Sequence, residues 1–331
     1  MASKVVNPLM KLDRLGDITS ELSTNLVSAI VLPGGLLEWL TRPLPGRLRD
    51  RFRSGVAKES AAEPQRNSAP VGPLVLMGGQ PVPDESIVAM IHLAGGRSAK
   101  LAVIPVATSN HEQAAEQGVK LFTRFGMRKV EIFDLITRER ADSPEWAKKL
   151  SAYDAVFLCG EDEATGIDVL GGTLCANTLR EMSAAGKPIA GLSAGAAILA
   201  DQVFVRRNDD DVVVPGLGLA SGMLVNTRFG QENRFARLTK ALQADSTGRY
   251  LGVGLDAGSA VAIRDGEAKV LGETSVTFMD LRDSQVLSDQ GGSAVCGLKV
   301  HVLLDGYVMN LRTRRPSGPP KEPPAQAAGA R

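Results

Sequence analysis

Ser193 sits in Gly191-Leu192-Ser193-Ala194-Gly195, after the short apolar run Pro188-Ile189-Ala190 and before Ala196-Ala197. A Gly-x-Ser-x-Gly pattern between a buried strand and a helix predicts a nucleophile elbow, a sharp turn that exposes the serine hydroxyl. The crowded turn tolerates only small neighbours, and Ala194, Gly195, Ala196 and Ala197 meet that need. The backbone N–H of Ala194 is then the natural first oxyanion donor. A helix from about Ala196 through Leu199 onward would aim its N-terminal amides at developing negative charge. The competing reading is a Gly/Ala-rich turn whose serine merely caps that helix.

A serine hydroxyl needs a base to take its proton. The three histidines are His92, on a predicted helix before Gly95-Gly96, His111, in the loop after the second strand, and His301, at the start of a late strand. Only His111 falls at the C-terminal edge of the strands, where open α/β sheets place their sites. The acids of Glu161-Asp162-Glu163 follow the fourth strand, after Gly160. They could act as a base or hold a guanidinium, or form a solvated acidic loop. Asp209-Asp210-Asp211 does not predict a metal site, because three adjacent acids cannot all face one ion. Gly78-Gly79 and Gly171-Gly172 lack the Gly-x-Gly-x-x-Gly pattern, so no dinucleotide is expected, and no cofactor is implied.

The elements that must position these residues read as alternating strands and helices. Strands are predicted over 73–77, 101–105, 130–135 and 155–158, and helices over 87–93, 114–125 and 173–185. Nearly continuous apolar strands between helices argue for a parallel sheet covered on both faces. Later strands are predicted over 253–263, 270–271, 276–280 and 299–304, extending that sheet or forming an antiparallel flank.

With 331 residues and 44% hydrophobic content, the chain can bury a large core. A net charge of +1 and 4% aromatics give no reason to expect nucleic acid. Cys159, Cys175 and Cys296 form no Cys-x-x-Cys pair and read as buried thiols of a reducing, cytoplasmic compartment. No secretory leader is predicted. The apolar window from Leu26 to Leu40 is broken by Pro33-Gly34-Gly35 and is too short to span a bilayer. Three zones are expected: an arm over 1–70, a globular body over 71–312 and a disordered Pro-rich tail over 313–331. The arm carries Arg42, Arg47, Arg49, Arg51 and Arg53 against Asp50, and ends in a polar linker over 58–70. It is either a packing extension with a solvated basic face or a weak contact for a membrane surface or a protein partner.

The body resembles cyanophycinase and the wider S51 serine peptidases. The likeness rests on Leu76-Met77-Gly78-Gly79, Ile104-Pro105-Val106-Ala107-Thr108-Ser109, the Ser193 segment through Ala197, and Gly216-Leu217-Gly218-Leu219. It continues in Arg228-Phe229, in Arg234-Phe235-Ala236-Arg237-Leu238 and in Gly252-Val253-Gly254-Leu255-Asp256. It covers roughly residues 73–282. The resemblance implies an α/β three-layer sandwich with a mostly parallel sheet, of the class I glutamine amidotransferase-like (flavodoxin-like) kind. It implies hydrolysis of β-aspartyl-arginine or related aspartyl peptides through Ser193, a peptide or aspartyl-arginine polymer as substrate, and a homodimer by analogy.

The same comparison marks departures. Where the family has its triad histidine, before the phenylalanine that is here Phe229, this chain has Arg228. Where the family has its triad acid, after the aspartate that is here Asp256, this chain has Ala257. The family's Gly-Gly-Asp-Gln loop reads Gly160-Glu161-Asp162-Glu163, and a usual arginine is Glu232, spaced to pair with Arg228 on a helix. An arginine stays protonated and cannot serve as the base, and an alanine cannot orient an imidazole. The alternative expectation is therefore a catalytically impaired relative that keeps its pocket for a peptide, polymer or partner.

Overall fold

The computed structural model describes residues 35–42 and 72–319, without 209, 231–233, 246 and 290–291. The basic residues 47–53, the linker over 58–70, Glu232 and the tail from 320 on lie outside the described residues.

In chain order the described elements are α1 (Leu36–Thr41), β1 (Leu74–Met77), α2 (Asp84–Leu93), β2 (Lys100–Ala107), α3 (His111–Thr123), β3 (Lys129–Ile132), α4 (Arg138–Ala141) and α5 (Pro144–Ser151). There follow β4 (Ala155–Gly160), α6 (Glu163–Leu170), α7 (Leu174–Ala184), β5 (Ile189–Leu192), α8 (Ala194–Ala197), β6 (Ala200–Arg207), β7 (Asp210–Pro215) and β8 (Ala220–Thr227). The remainder are α9 (Arg234–Ala244), β9 (Leu251–Leu255), β10 (Ser259–Arg264), β11 (Glu267–Gly272), β12 (Val276–Asp280), β13 (Gln285–Asp289), β14 (Gly292–Cys296), β15 (Lys299–Leu303), β16 (Val308–Asn310) and β17 (Arg315–Ser317).

The larger sheet has nine strands in the order β17-β16-β11-β10-β1-β5-β4-β2-β3. The run β1-β5-β4-β2-β3 is parallel throughout. β10, β11, β16 and β17 extend it in antiparallel pairings. The parallel strands are apolar on both faces because both faces are covered. Leu74, Leu76, Ala102, Ile104, Val156 and Leu158 enter a core with Leu150, Val169, Leu170, Leu179 and Met182 from α5, α6 and α7. On the opposite face α3 packs its Phe122 edge-on against Phe157 at 5.1 Å. Its Gly118 is required there, since a Cβ would lie 2.6 Å from Val103 Cγ1. These are the three layers of the expected α/β sandwich.

The later strands divide in a way that periodicity does not reveal. The apolar run over 253–263 breaks at Asp256-Ala257-Gly258 into β9 and β10, which belong to different sheets. β9 joins a second, six-stranded sheet in the order β15-β12-β9-β8-β6-β7. One face of this sheet, with Val203, Val225, Val253 and Phe278, completes the main core. The other, with Phe204, Leu224 and Met279, packs on Leu238 and Leu242 of α9. The break is conformational: Gly258 has φ 81°, a left-handed value that glycine adopts at no steric cost.

Both ends of the body reach further than composition predicts. Within the expected arm, α1 buries Leu36, Trp39 and Leu40. The Trp39 indole donates to Glu267 Oε2 at 3.0 Å, and Arg42 pairs with the same carboxylate at 3.1 Å. Arg42 is therefore not part of a free basic face. Within the expected tail, Arg314 is buried and β17 pairs with β16. Cys159 and Cys175 are buried thiols, but Cys296 is exposed on β14, a correction to the reading of three buried thiols. Asp210 and Asp211 open β7, and Asp211 pairs with Arg237 at 3.2 Å. Among the described residues no group of three or more His, Cys, Asp or Glu could hold a metal ion. None of the described helices is long and apolar enough to cross a membrane.

Candidate active site

Ser193 adopts φ 54° and ψ −122°, a region that non-glycine residues rarely occupy and that costs about 1–3 kcal/mol to hold. Main-chain bonds hold it. Ser193 N–H donates to Met77 O at 2.9 Å, and Ser193 O accepts from the N–H groups of Ala196 and Ala197 at 2.9 and 3.1 Å. The flanking glycines allow the close approach. A Cβ on Gly191 would meet Gly195 O at 2.4 Å, and one on Gly195 would meet Leu158 O at 2.3 Å. The Ser193 side chain makes no capping hydrogen bond, so the capping alternative is not what the turn is for. The following helix is shorter than expected. α8 is a single turn, after which the chain enters β6 at Ala200, so its dipole is slight and individual N–H groups are what it offers to an oxyanion. Ala194 is the first helical residue, and its N–H is not used by the helix ladder.

Ser193 lines a cavity of about 310 Å³ together with Leu192, Gly160, Glu161, Arg228 and Ala257, and with Gln80, Phe157 and Cys159. Ala114, Gln117, Gly118 and Leu121 of α3 close another side. The exit of β1 organises the elements that carry these groups. Met77 O holds Ser193, and the next carbonyl, Gly78 O, accepts from Arg228 N–H at 3.3 Å. Gly78 N–H donates to Ser259 O at 3.0 Å, and a Cβ on Gly78 would lie 2.2 Å from Asp256 O. Thus the serine turn, the Arg228 turn and the Asp256–Gly258 turn converge on Gly78-Gly79. A Cβ placed on Gly79 would lie 3.5 Å from Arg228 Cγ and 3.6 Å from the Ala257 Cβ. Arg228, at φ 51°, has no hydrogen-bonding or ion-pair partner for its guanidinium among the described residues. The Asp256 carboxylate is engaged locally. Its Oδ1 accepts from Gly230 N–H, and Ser275 Oγ donates to Oδ2 at 3.4 Å.

The acidic loop divides. Glu161 lines the cavity, and its Oε1 accepts from Thr108 Oγ1 at 3.3 Å. Asp162 does not line it but caps α6, its Oδ1 accepting from Ala164 N–H at 3.0 Å and its Oδ2 from Thr165 Oγ1 at 2.6 Å. Asp162→Ala should therefore cost about 1 kcal/mol of stability in urea unfolding and leave labelling of Ser193 unchanged. Glu163 also lies outside the cavity lining. Burial raises its carboxyl above the ordinary value, outweighing a hydrogen bond from its own backbone and the pull of nearby Arg237 and Arg234. None of the histidines lines the cavity. The His111 ring bonds through Nδ1 to Pro105 O at 2.7 Å. Gly160, at φ 142°, is fixed as glycine because a Cβ would collide with Ala107 O. Sequence reasoning missed Gln80, Gln117 and Cys159. The last is no nucleophile: burial first, and then Glu161, push its thiol up to about 12.

Residues 74–271, more than half of the chain, match the family model described as Peptidase family S51. The chain belongs to peptidase family S51. Its S51 relatives include a cyanophycinase of Synechococcus elongatus, 31% identical over 67% of this chain and 73% of that one. Another is a cyanophycinase of Trichormus variabilis, 30% identical over 67% and 78% of the two chains. The crystal structure of a peptidase from an acI-B1 Actinobacterium has a TM-score of 0.55 and 21% identity. It covers 73% of this chain and 97% of that one, and bears on the fold alone. S51 membership implies a peptide as the class of substrate.

Proposed function

We propose that this S51 protein binds aspartyl peptides, of the kind released from or related to cyanophycin, in the Ser193 cavity, without turning them over at the rate of a complete triad. One observation carries the reading: the two residues beside Gly79 that face the serine cavity are Arg228 and Ala257, and no histidine lines it. The strained elbow and the Ala194 N–H remain available to receive an acyl group. Proton transfer from the serine is what the site lacks. Losing triad members leaves about 10³–10⁴-fold acceleration over water from binding and the oxyanion hole. The test is reaction of the full chain with a fluorophosphonate, read as adduct at Ser193 by mass spectrometry, with Ser193→Ala as control. Labelling no faster than an unactivated serine is expected, together with no dipeptide release from cyanophycin. Rapid labelling would overturn the reading.

A second reading keeps hydrolysis, with Glu161 as the base. It is favoured by Glu161 being the carboxylate among the cavity-lining residues. If it holds, Ser193 labels rapidly in the parent chain and Glu161→Gln slows that labelling about 10²-fold or more.

A further inference from the structure

We infer that Arg228 makes the Ser193 cavity a receptor for a ligand carboxylate, so that the cavity selects peptide acids over the corresponding amides. This rests on the reading that the cavity holds peptide, and it requires no turnover.

Four observations carry it. Arg228 lines the same cavity as Ser193. Its guanidinium has no hydrogen-bonding or ion-pair partner among the described residues, although it lines a cavity that also holds Glu161. Its main chain is fixed, with Arg228 N–H on Gly78 O and Phe229 N–H on Leu255 O, so the side chain departs from a set position. Finally, Gly79 and Ala257 present a hydrogen and a methyl group beside the arginine stem, which leaves room for it without offering a hydrogen-bond acceptor.

A half-buried cation with no counter-ion among the described residues loses part of its hydration and regains little from them. A carboxylate entering the cavity supplies the missing charge through two parallel N–H···O bonds, the arrangement that guanidinium geometry favours. An amide of the same shape offers one acceptor, no charge and an N–H₂ group directed at a cation. Glu161, on the same cavity, adds a constraint: a bare anion is repelled there, whereas a ligand that also carries a donor is accommodated. The fitting class is a peptide or aminoacyl fragment with a free carboxylate at one end and N–H groups at the other.

The test is titration of the full chain at pH 7 with two matched probes, N-acetyl-L-aspartyl amide and N-acetyl-L-asparaginyl amide, followed by calorimetry or NMR. The acid is expected to bind about tenfold or more tightly than the amide, with the preference shrinking as salt rises. Arg228→Gln should abolish the preference, and Arg228→Lys should keep part of it. Thermal unfolding checks that both variants are folded. Equal binding of the two probes by the parent chain would overturn the role of Arg228 and leave the peptide cavity standing. A preference that survives Arg228→Gln would place the carboxylate elsewhere and overturn it too. Failure of both probes to bind at millimolar concentration would overturn this inference and the reading beneath it.

Discussion

Arg228→His combined with Ala257→Glu is expected to raise the rate of fluorophosphonate labelling at Ser193 by about 10²-fold or more, the range a positioned general base contributes. The gain should be large because the main chain is already in place. Ser193 and residue 228 hang from the adjacent carbonyls of Met77 and Gly78, so an imidazole at 228 enters the serine's cavity without rebuilding a loop. The φ of 51° at 228 suits a histidine, which visits the left-handed region more readily than most residues. Arg228 Cγ and the Ala257 Cβ both lie within contact range of one point above Gly79, so a carboxylate at 257 starts beside that imidazole. Arg228→His alone should give a smaller gain, because nothing then fixes the tautomer or stabilises the imidazolium. Labelling rates of the two single variants and the double variant, each with Ser193→Ala as background, measure the coupling. A double variant no faster than the parent would show that the serine hydroxyl and residue 228 are out of reach of one another.

The largest expected effect on stability lies away from the cavity. Asp280 ends β12, 3% exposed, and receives Arg314 Nη1 at 2.6 Å and Arg282 Nη2 at 2.9 Å. Arg314 also donates to Gly248 O at 3.0 Å and to Arg249 O. Arg314 thus ties the last described segment to the second sheet, through Asp280, and to the loop after α9. Asp280→Ala strands a buried guanidinium and should cost about 3–5 kcal/mol, read as a lower urea midpoint. Burial pushes the Asp280 carboxyl up, but the bonds from Arg282 and Arg314 outweigh it and hold the carboxyl below its ordinary 3.8. Its folded value lies below its unfolded one, so the contribution is fully present above the ordinary carboxylate range and is lost as pH falls below it. Acid unfolding of the parent should therefore steepen below about pH 4, and Asp280→Ala should flatten that limb.

Local pattern makes the parallel half of the molecule legible. Strands buried on both faces read as unbroken apolar runs, and Gly191 and Gly195 announce a turn that only small residues survive. The second sheet is not legible, because β9 and β10 form one apolar stretch whose division depends on three residues, Asp256-Ala257-Gly258. Docking of α1 is equally hidden. Leu36, Trp39 and Leu40 resemble a fragment of amphipathic helix, and their partner Glu267 lies more than 200 positions away. In the site, Ser193, Arg228, Ala257, Gly160 and Glu161 come together as types and motif order imply. Asp162 and Glu163 do not, because a helix begins at once after Gly160-Glu161 and turns one into its cap and the other aside. Gln117 and Leu121 gave no signal, since their position on the cavity wall follows from how closely Gly118 lets α3 approach β2 and β4.

The adjacent carbonyls at the end of β1 have a consequence for how this site can vary. The bonds that hold Ser193 and residue 228 in register run between main-chain atoms, from N–H to C=O, and no side chain takes part in them. An exchange of side chain at 228 or 257 therefore changes the chemistry of the socket and leaves its shape alone. The scaffold of this protein is indifferent to whether it houses a base, a counter-ion or neither.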